Sequence, residues 1–237
     1  MRQEPKGNEL VLFDSRGVWT AWTKLRFFGL PIGARMTVIR FPTNELFVYS
    51  PLGLNDKIKR QLSELGQVQY VVSPNHLHHL FLTDYQEACP NAKIYASPGL
   101  EEKRTDIRFH KQLTDAPEPE WIPYLDQMLF AGVPSMREVI FYHKASRTLL
   151  VADLIMNYRD TASLTMKFLL KMFHVYGHPF SSIDIHKLEE SSKDLVKFSI
   201  QQILDWDFDR IILSHGEMID ANGKDVIREV FSGVLDA

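Results

Sequence analysis

The sequence predicts an α/β (α+β) fold of mixed β-sheets covered by helices, and three observations predict it. Apolar β-runs come in hairpin pairs, as in 36–41 and 45–49 around the turn Pro42-Thr-Asn44. Other β-runs alternate with helical periodicity, and a chain using both kinds of connection builds mixed sheets with helices packed on them. Third, three β-runs end in polar residues: His76, His78 and His79 after one, Asp153 after another, His215 after the last. Ends of neighbouring strands converge on one crevice in α/β proteins.

Taken in order, residues 1–35 hold Trp19, Trp22, Phe27 and Phe28 ahead of the turn-rich Gly29-Leu-Pro-Ile-Gly33 and show no period. After the first hairpin, Asn55 is placed to cap a helix on which Ile58, Leu62 and Leu65 recur before Gly66 ends it. Val68 to Val72 is the strand that delivers the histidines. A helix is expected from Leu80 to Ala88, a strand from Lys93 to Ala96, and a further helical start after Pro98. Residues 105–127 are polar and dotted with Pro117, Pro119 and Pro123, which predicts a surface excursion. Strands follow at 127–131, 138–142 and 148–152, the last two joined by Lys144-Ala-Ser-Arg147. An amphipathic stretch runs from Thr161 to Val175 and breaks at Gly177-His-Pro179. A helix begins at Ser191 or Ser192 and ends near Leu204, and the last strand spans 208–213. Asn222-Gly223 opens a closing helix with Val226, Ile227, Val230, Phe231 and Val234 on one stripe.

Composition bounds the rest. With 237 residues and 45% hydrophobic content the chain has material for one large domain or two small ones, and a single domain over residues 1–237 is expected. A net charge of −3 carries no basic footprint, so nucleic acid is not an expected partner. Cys89 is the single cysteine, which excludes an internal disulfide and a thiolate metal cluster. The first residues lack the apolar core of a secretory signal, and no window approaches ~18 uncharged apolar residues, so a cytoplasmic chain without a membrane span is expected.

Three of the nine histidines fall within four residues, at a strand end. Singly, each polar site is ordinary: a strand-ending Asp is usually a cap or turn residue, and a lone His before Gly says little. Together they form a His-rich, thiolate-free set that favours a divalent metal, zinc first, with iron or manganese as alternatives. The candidate ligands are His76, His78, His79, Asp153 and His215.

At these residues the chain resembles the metallo-β-lactamase-fold hydrolases, in particular a branch with the pattern Pro-Asn-x-x-His-His-Leu-Phe, here Pro74 to Phe81. In that superfamily a strand ends in Thr-His-x-His-x-Asp-His. Setting Ser73 on the Thr places Pro74 on the first His, His76 on the second, His78 on the Asp and His79 on the last His. Thr148-Leu-Leu-Val-Ala-Asp153 resembles the strand that presents a bridging Asp, and Ile211-Ile-Leu-Ser-His215-Gly the final strand. The resemblance spans roughly residues 36–220 and implies a four-layer αββα sandwich of two mixed β-sheets. It also carries departures. Pro74 and Ser135 stand where the first metal site has two of its histidines, so the resemblance implies one ion held by His79, Asp153 and His215 with His78 in place of a carboxylate.

The implied activity is hydrolysis of an ester, lactone, amide or phosphoester of a small-molecule substrate by metal-activated water. His76 and Asp153 are the candidate catalytic residues, His76 as the group that orients the water or shuttles its proton. A metal-free binding module on the same fold and a mononuclear iron centre doing oxygen chemistry are the alternatives. Ser146, Ser181 and Cys89 lack a nucleophile-elbow context, so covalent catalysis is not expected. His174, His178 and His186 are read as lid or surface residues. The segment 161–182 is expected to cover the site as a methionine-rich partial lid, implying a substrate with a hydrophobic part. Its spacing of Leu164, Phe168, Met172 and Phe173 equally suits a helix packed in the core.

Overall fold

The strands and helices fall into two units of the chain, residues 1–25 with 33–114 and residues 26–32 with 115–237. The computed structural model describes residues 8–159, 163–183 and 188–236. Thr161 and His186 lie outside these ranges.

The first unit opens with β1 (Val11–Asp14) and β2 (Val18–Thr23). The chain then passes through β3 (Arg26–Phe27) and β4 (Leu30–Pro31), a hairpin of the second unit, and returns as β5 (Ala34–Arg40), β6 (Glu45–Tyr49), α1 (Asp56–Leu65), β7 (Gln67–Ser73), α2 (Leu82–Ala88), β8 (Lys93–Ala96), α3 (Leu100–Lys103) and β9 (Lys111–Gln112). Among the described residues its sheet has the order β1-β2-β5-β6-β7-β8-β9. Hairpins make the first pairings antiparallel, and the helical crossovers α1 and α2 make β6, β7 and β8 parallel. Asn55 caps α1 as expected, its side chain accepting from the Ile58 amide at 2.8 Å. Ile58, Leu62, Leu82 and Tyr85 pack with Met36, Val38, Val48, Val71 and Ile94 of the sheet in one core cluster.

The second unit continues with β10 (Leu125–Leu129), β11 (Val139–His143), β12 (Thr148–Val151), β13 (Ile155–Asn157), α4 (Leu164–Met172), β14 (Pro179–Ser181), α5 (Glu190–Asp205), β15 (Arg210–Leu213), α6 (Gly223–Val230) and α7 (Ser232–Leu235). Its main sheet has the order β10-β11-β12-β15, with β12 and β15 parallel, and β13 pairs with β14. Ile140, Leu149, Val151, Ile211 and Leu213 meet Val196, Ile200 and Ile203 of α5 and Ile227 and Phe231 behind α6.

Several expectations are corrected. Residues 8–35 do form strands, but β3 and β4 have two residues each and the Trp pair in β2 blurs its alternation. The excursion at 105–127 is not all surface: Leu113 and Trp121 are fully buried, and Trp121 Nε1 donates to Gln127 Oε1 at 3.0 Å. Single apolar residues between prolines carry no period to read. The closing helix breaks at Phe231 into α6 and α7. In α4 the face carrying Leu164, Phe168 and Met172 is exposed, and Met166 and Leu170 on the opposite face are buried. Both faces of that helix are apolar, so periodicity alone could not choose between them. Among the described residues no helix is long and apolar enough to cross a membrane.

Candidate metal centre

In the second unit the parallel register of β12 and β15 sets Leu150 beside Ile212 and Val151 beside Leu213. Two residues beyond that last pair, Asp153 and His215 therefore leave the sheet at the same level. Asp153 Oδ1 lies 3.0 Å from His215 Nε2, and both side chains are buried.

Two neighbours hold them there. Glu138 is fully buried at the head of β11. Its Oε1 accepts from the Ala152 amide at 2.7 Å, and its Oε2 from the amides of Asp153 at 2.8 Å and Leu154 at 3.2 Å. The turn that presents Asp153 is thus wrapped around a second carboxylate. Sequence reasoning passed over Glu138, whose only signal is a lone acid opening an apolar strand.

Beside His215, Gly216 has φ +90, and a Cβ there would lie 2.0 Å from the Asn157 carbonyl oxygen. The close approach is a bridge in which the Asn157 amide donates to the His215 carbonyl at 3.3 Å and the Glu217 amide to the Asn157 carbonyl at 2.7 Å. Gly216→Ala combines left-handed backbone with an overlap on main-chain atoms, so it should lower unfolding free energy by about 2–4 kcal/mol in urea titration. A change below about 0.5 kcal/mol would refute this account of His215's placement.

In the first unit β6, β7 and β8 are parallel, and their C-terminal ends supply Ser50, the Ser73–His79 turn and Pro98. The turn is built from buried side chains. Ser73 Oγ donates to the His78 carbonyl at 2.9 Å, and Asn75 Oδ1 accepts from the amides of Leu77 at 2.9 Å and His78 at 3.2 Å. Lys103 Nζ holds the His76 carbonyl at 2.8 Å.

The three imidazoles have different partners. His76 Nε2 lies 2.6 Å from the Pro98 carbonyl oxygen, which only accepts, so Nε2 carries the proton. His78 Nδ1 lies 2.6 Å from Ser50 Oγ. With Nδ1 donating to that hydroxyl, Nε2 bears the lone pair that metal ligation needs. Arg104 Nη1 donates to His79 Nδ1 at 2.9 Å and to the His79 carbonyl at 2.6 Å. A guanidinium only donates, so a neutral His79 keeps its proton on Nε2. In that state Nδ1 is engaged by Arg104, and ligation through Nε2 requires that proton to leave.

Burial, with Lys103 and Arg104 nearby, lowers the His79 pKa to about 4. Arg104 is fixed in turn by Asp106, its Nη2 donating to Oδ2 at 2.7 Å and its Nε to Oδ1 at 2.8 Å; this bond holds the Asp106 carboxyl down at about 2. His174, His178 and Ser135 are exposed. Arg104, Ser50 and Glu138 are contributors that the sequence alone did not reveal. Their partners lie 25, 28 and 14–16 residues away along the chain.

Solved structures share this fold. A metallo-beta-lactamase from Pontibacter korlensis aligns over 97% of this chain and 99% of its own, with TM-score 0.64 and 10% identity. One from Hirschia baltica aligns over 98% of this chain and 97% of its own, with TM-score 0.64 and 12% identity. The metallo-beta-lactamase FIM-1 from Pseudomonas aeruginosa in the mono-zinc form aligns over 99% of this chain and 96% of its own, with TM-score 0.61 and 11% identity. Identities of this size speak to the fold alone, and the expected metallo-β-lactamase-like class of two mixed sheets with helices is borne out. Among curated proteins none matches the sequence. Residues 16–175, more than half of the chain, match the family described as Domain of unknown function (DUF4336), and to that family, on a metallo-β-lactamase fold, this chain belongs.

Proposed function

We propose that this chain is a metal-dependent hydrolase that holds one divalent ion, zinc first, with Asp153 and His215 of the second unit among its ligands. The pair offers one imidazole and one carboxylate, ligand types suited to zinc. The observation that carries the reading is the buried Asp153–His215 pair, two metal-ligand types in contact at parallel strand ends. In the first unit, His78 has Ser50 on Nδ1, and its Nε2 bears the lone pair that ligation needs when Nδ1 donates to that hydroxyl. Pro74 and Ser135 supply no imidazole for a second ion, which fits one ion per chain.

A divalent ion bound there supplies Lewis acidity and lowers the pKa of a coordinated water towards ~7. The chain's own groups do the rest. Asp153 orients His215 and contributes the negative charge. His76, donating to Pro98 through Nε2, presents Nδ1 as the acceptor that receives or relays a proton from water. The substrate class is an ester, lactone, amide or phosphoester of a small molecule with an apolar part. In this reading the chain works as one domain in the cytoplasm, a placement that its single free cysteine supports.

Metal analysis of untagged protein tests the proposal. We expect about one zinc per chain, retained in His76→Ala, because His76 is assigned the proton relay and no ligand role. Two tightly held ions would overturn the ligand assignment. Protein that stays empty after zinc is supplied would favour a metal-free binding module, and iron in place of zinc would favour oxygen chemistry.

A further inference from the structure

In the second unit, α4 and the β3–β4 hairpin share one buried cluster. Met166, Leu170 and Tyr158 pack with Leu30, Ile32, Tyr176 and Phe180, and Tyr158 donates its hydroxyl hydrogen to the Ile32 carbonyl at 2.9 Å. That cluster ties the helix and hairpin together and leaves apolar side chains on their outer sides exposed. On α4, Leu164, Phe168, Met172 and the capping Phe173 are 83%, 67%, 52% and 67% exposed. At the hairpin tip Phe28 is 93% exposed, edge-on to Phe27 with ring centroids 4.5 Å apart. Single exposed apolar residues are ordinary, but a helix stripe beside an aromatic hairpin tip marks an interaction site.

Charge identifies the partner. Residues 161–183 contain no Asp or Glu, and nor do residues 15–44, although the whole chain has net charge −3. The ionisable groups on the two elements are bases: Arg26 on the hairpin, and Lys167 and Lys171 flanking the exposed stripe of α4. Both lysines sit over the Tyr176 ring, 5.2 and 5.5 Å from its centroid, which keeps their charge close to the apolar stripe. A second copy of the same face would set like charges against each other, which disfavours self-pairing. Apolar residues rimmed by Lys and Arg are the pattern of segments that lie in the headgroup region of a bilayer carrying anionic lipid.

We propose that the outer face of α4 and the Phe27–Phe28 hairpin tip form a docking surface for an anionic lipid bilayer. On contact the hairpin tip and the Leu164, Phe168 and Met172 stripe enter the headgroup boundary, while Arg26, Lys167 and Lys171 meet lipid phosphates and carboxylates. The inference stands independently of the metal reading, since it uses none of the candidate ligands.

Co-sedimentation of the full chain with vesicles of phosphatidylcholine alone, or of phosphatidylcholine with phosphatidylserine, tests it. We expect binding to the phosphatidylserine vesicles that weakens with added salt, and little binding to phosphatidylcholine alone. Phe28→Asn/Phe168→Ser should reduce the partition coefficient at least about tenfold, and Lys167→Glu/Lys171→Glu by about tenfold. The pairs act independently, so misfolding of one leaves the other to decide, and all four positions lie outside the core. Failure to bind phosphatidylserine vesicles would overturn the proposal. So would binding that neither pair alters, or a monomer–dimer equilibrium abolished by the phenylalanine pair without any vesicle binding, which would identify a second copy as the occupant.

Discussion

Asp153→Ala should leave the chain unable to retain zinc, with affinity lower by at least about 100-fold in competition with a chelator. The reasoning starts from the donor set. Asp153 is the one carboxylate among the proposed ligands, and it already contacts His215 Nε2 at 3.0 Å. Removing it deletes the charge that compensates a divalent ion and also the partner that orients His215. Asp153→Asn preserves the shape and loses the charge, so it should fall between the alanine variant and the natural chain. His79→Ala provides the contrast. Arg104 occupies its Nδ1, so the loss of affinity should stay within about tenfold and reflect only a loosened turn. Undiminished zinc binding by Asp153→Ala would refute the site. Equal losses from His79→Ala and Asp153→Ala would identify His79 as a ligand.

Glu138→Ala should be the most destabilising single change in this region, lowering unfolding free energy by about 3–5 kcal/mol. Its carboxylate accepts from three consecutive amides, those of Ala152, Asp153 and Leu154, in a fully buried position. Alanine would strand those donors away from water, and each buried unsatisfied donor costs about 1–3 kcal/mol. Glu138→Gln retains one oxygen and turns an amide group towards a donor, so it should cost less and fold well enough for metal analysis. We expect weaker zinc binding from that variant, because the turn presenting Asp153 loses its anchor. Urea titration separates the outcomes. A loss below about 1 kcal/mol for Glu138→Ala would show that relaxation or water replaces the carboxylate. Normal zinc affinity in Glu138→Gln would confine Glu138 to stability.

The candidate site was partly legible because its parts are local. A β-run followed by a polar turn is a short-range pattern, and it revealed the histidine turn, Asp153 and His215 as strand-end residues. Asn55 before Ile58, Leu62 and Leu65 announced α1 for the same reason. Long-range pairings were not legible. The donors of Glu138 lie 14–16 residues further on, Arg104 lies 25 residues from His79, and Ser50 lies 28 from His78. None of these pairs falls within one element, so no periodicity reports it. Two-residue strands such as β3 and β4 were likewise too short to show alternation.

The order of strands, helices and strand-end polar residues carried the fold class and the chemical types in the candidate site, because burial patterns are written into neighbouring residues. The tertiary structure decided which groups meet. Parallel pairing of β12 with β15 aligned Asp153 with His215 across more than sixty residues of chain, through backbone hydrogen bonds that any strand can make. It also decided which face of α4 is buried. Both faces are apolar, and the one that met Leu30, Ile32 and Tyr158 became core while Leu164 and Phe168 stayed outside. Hydrophobic burial is non-directional, so when two faces qualify only the neighbouring elements choose between them.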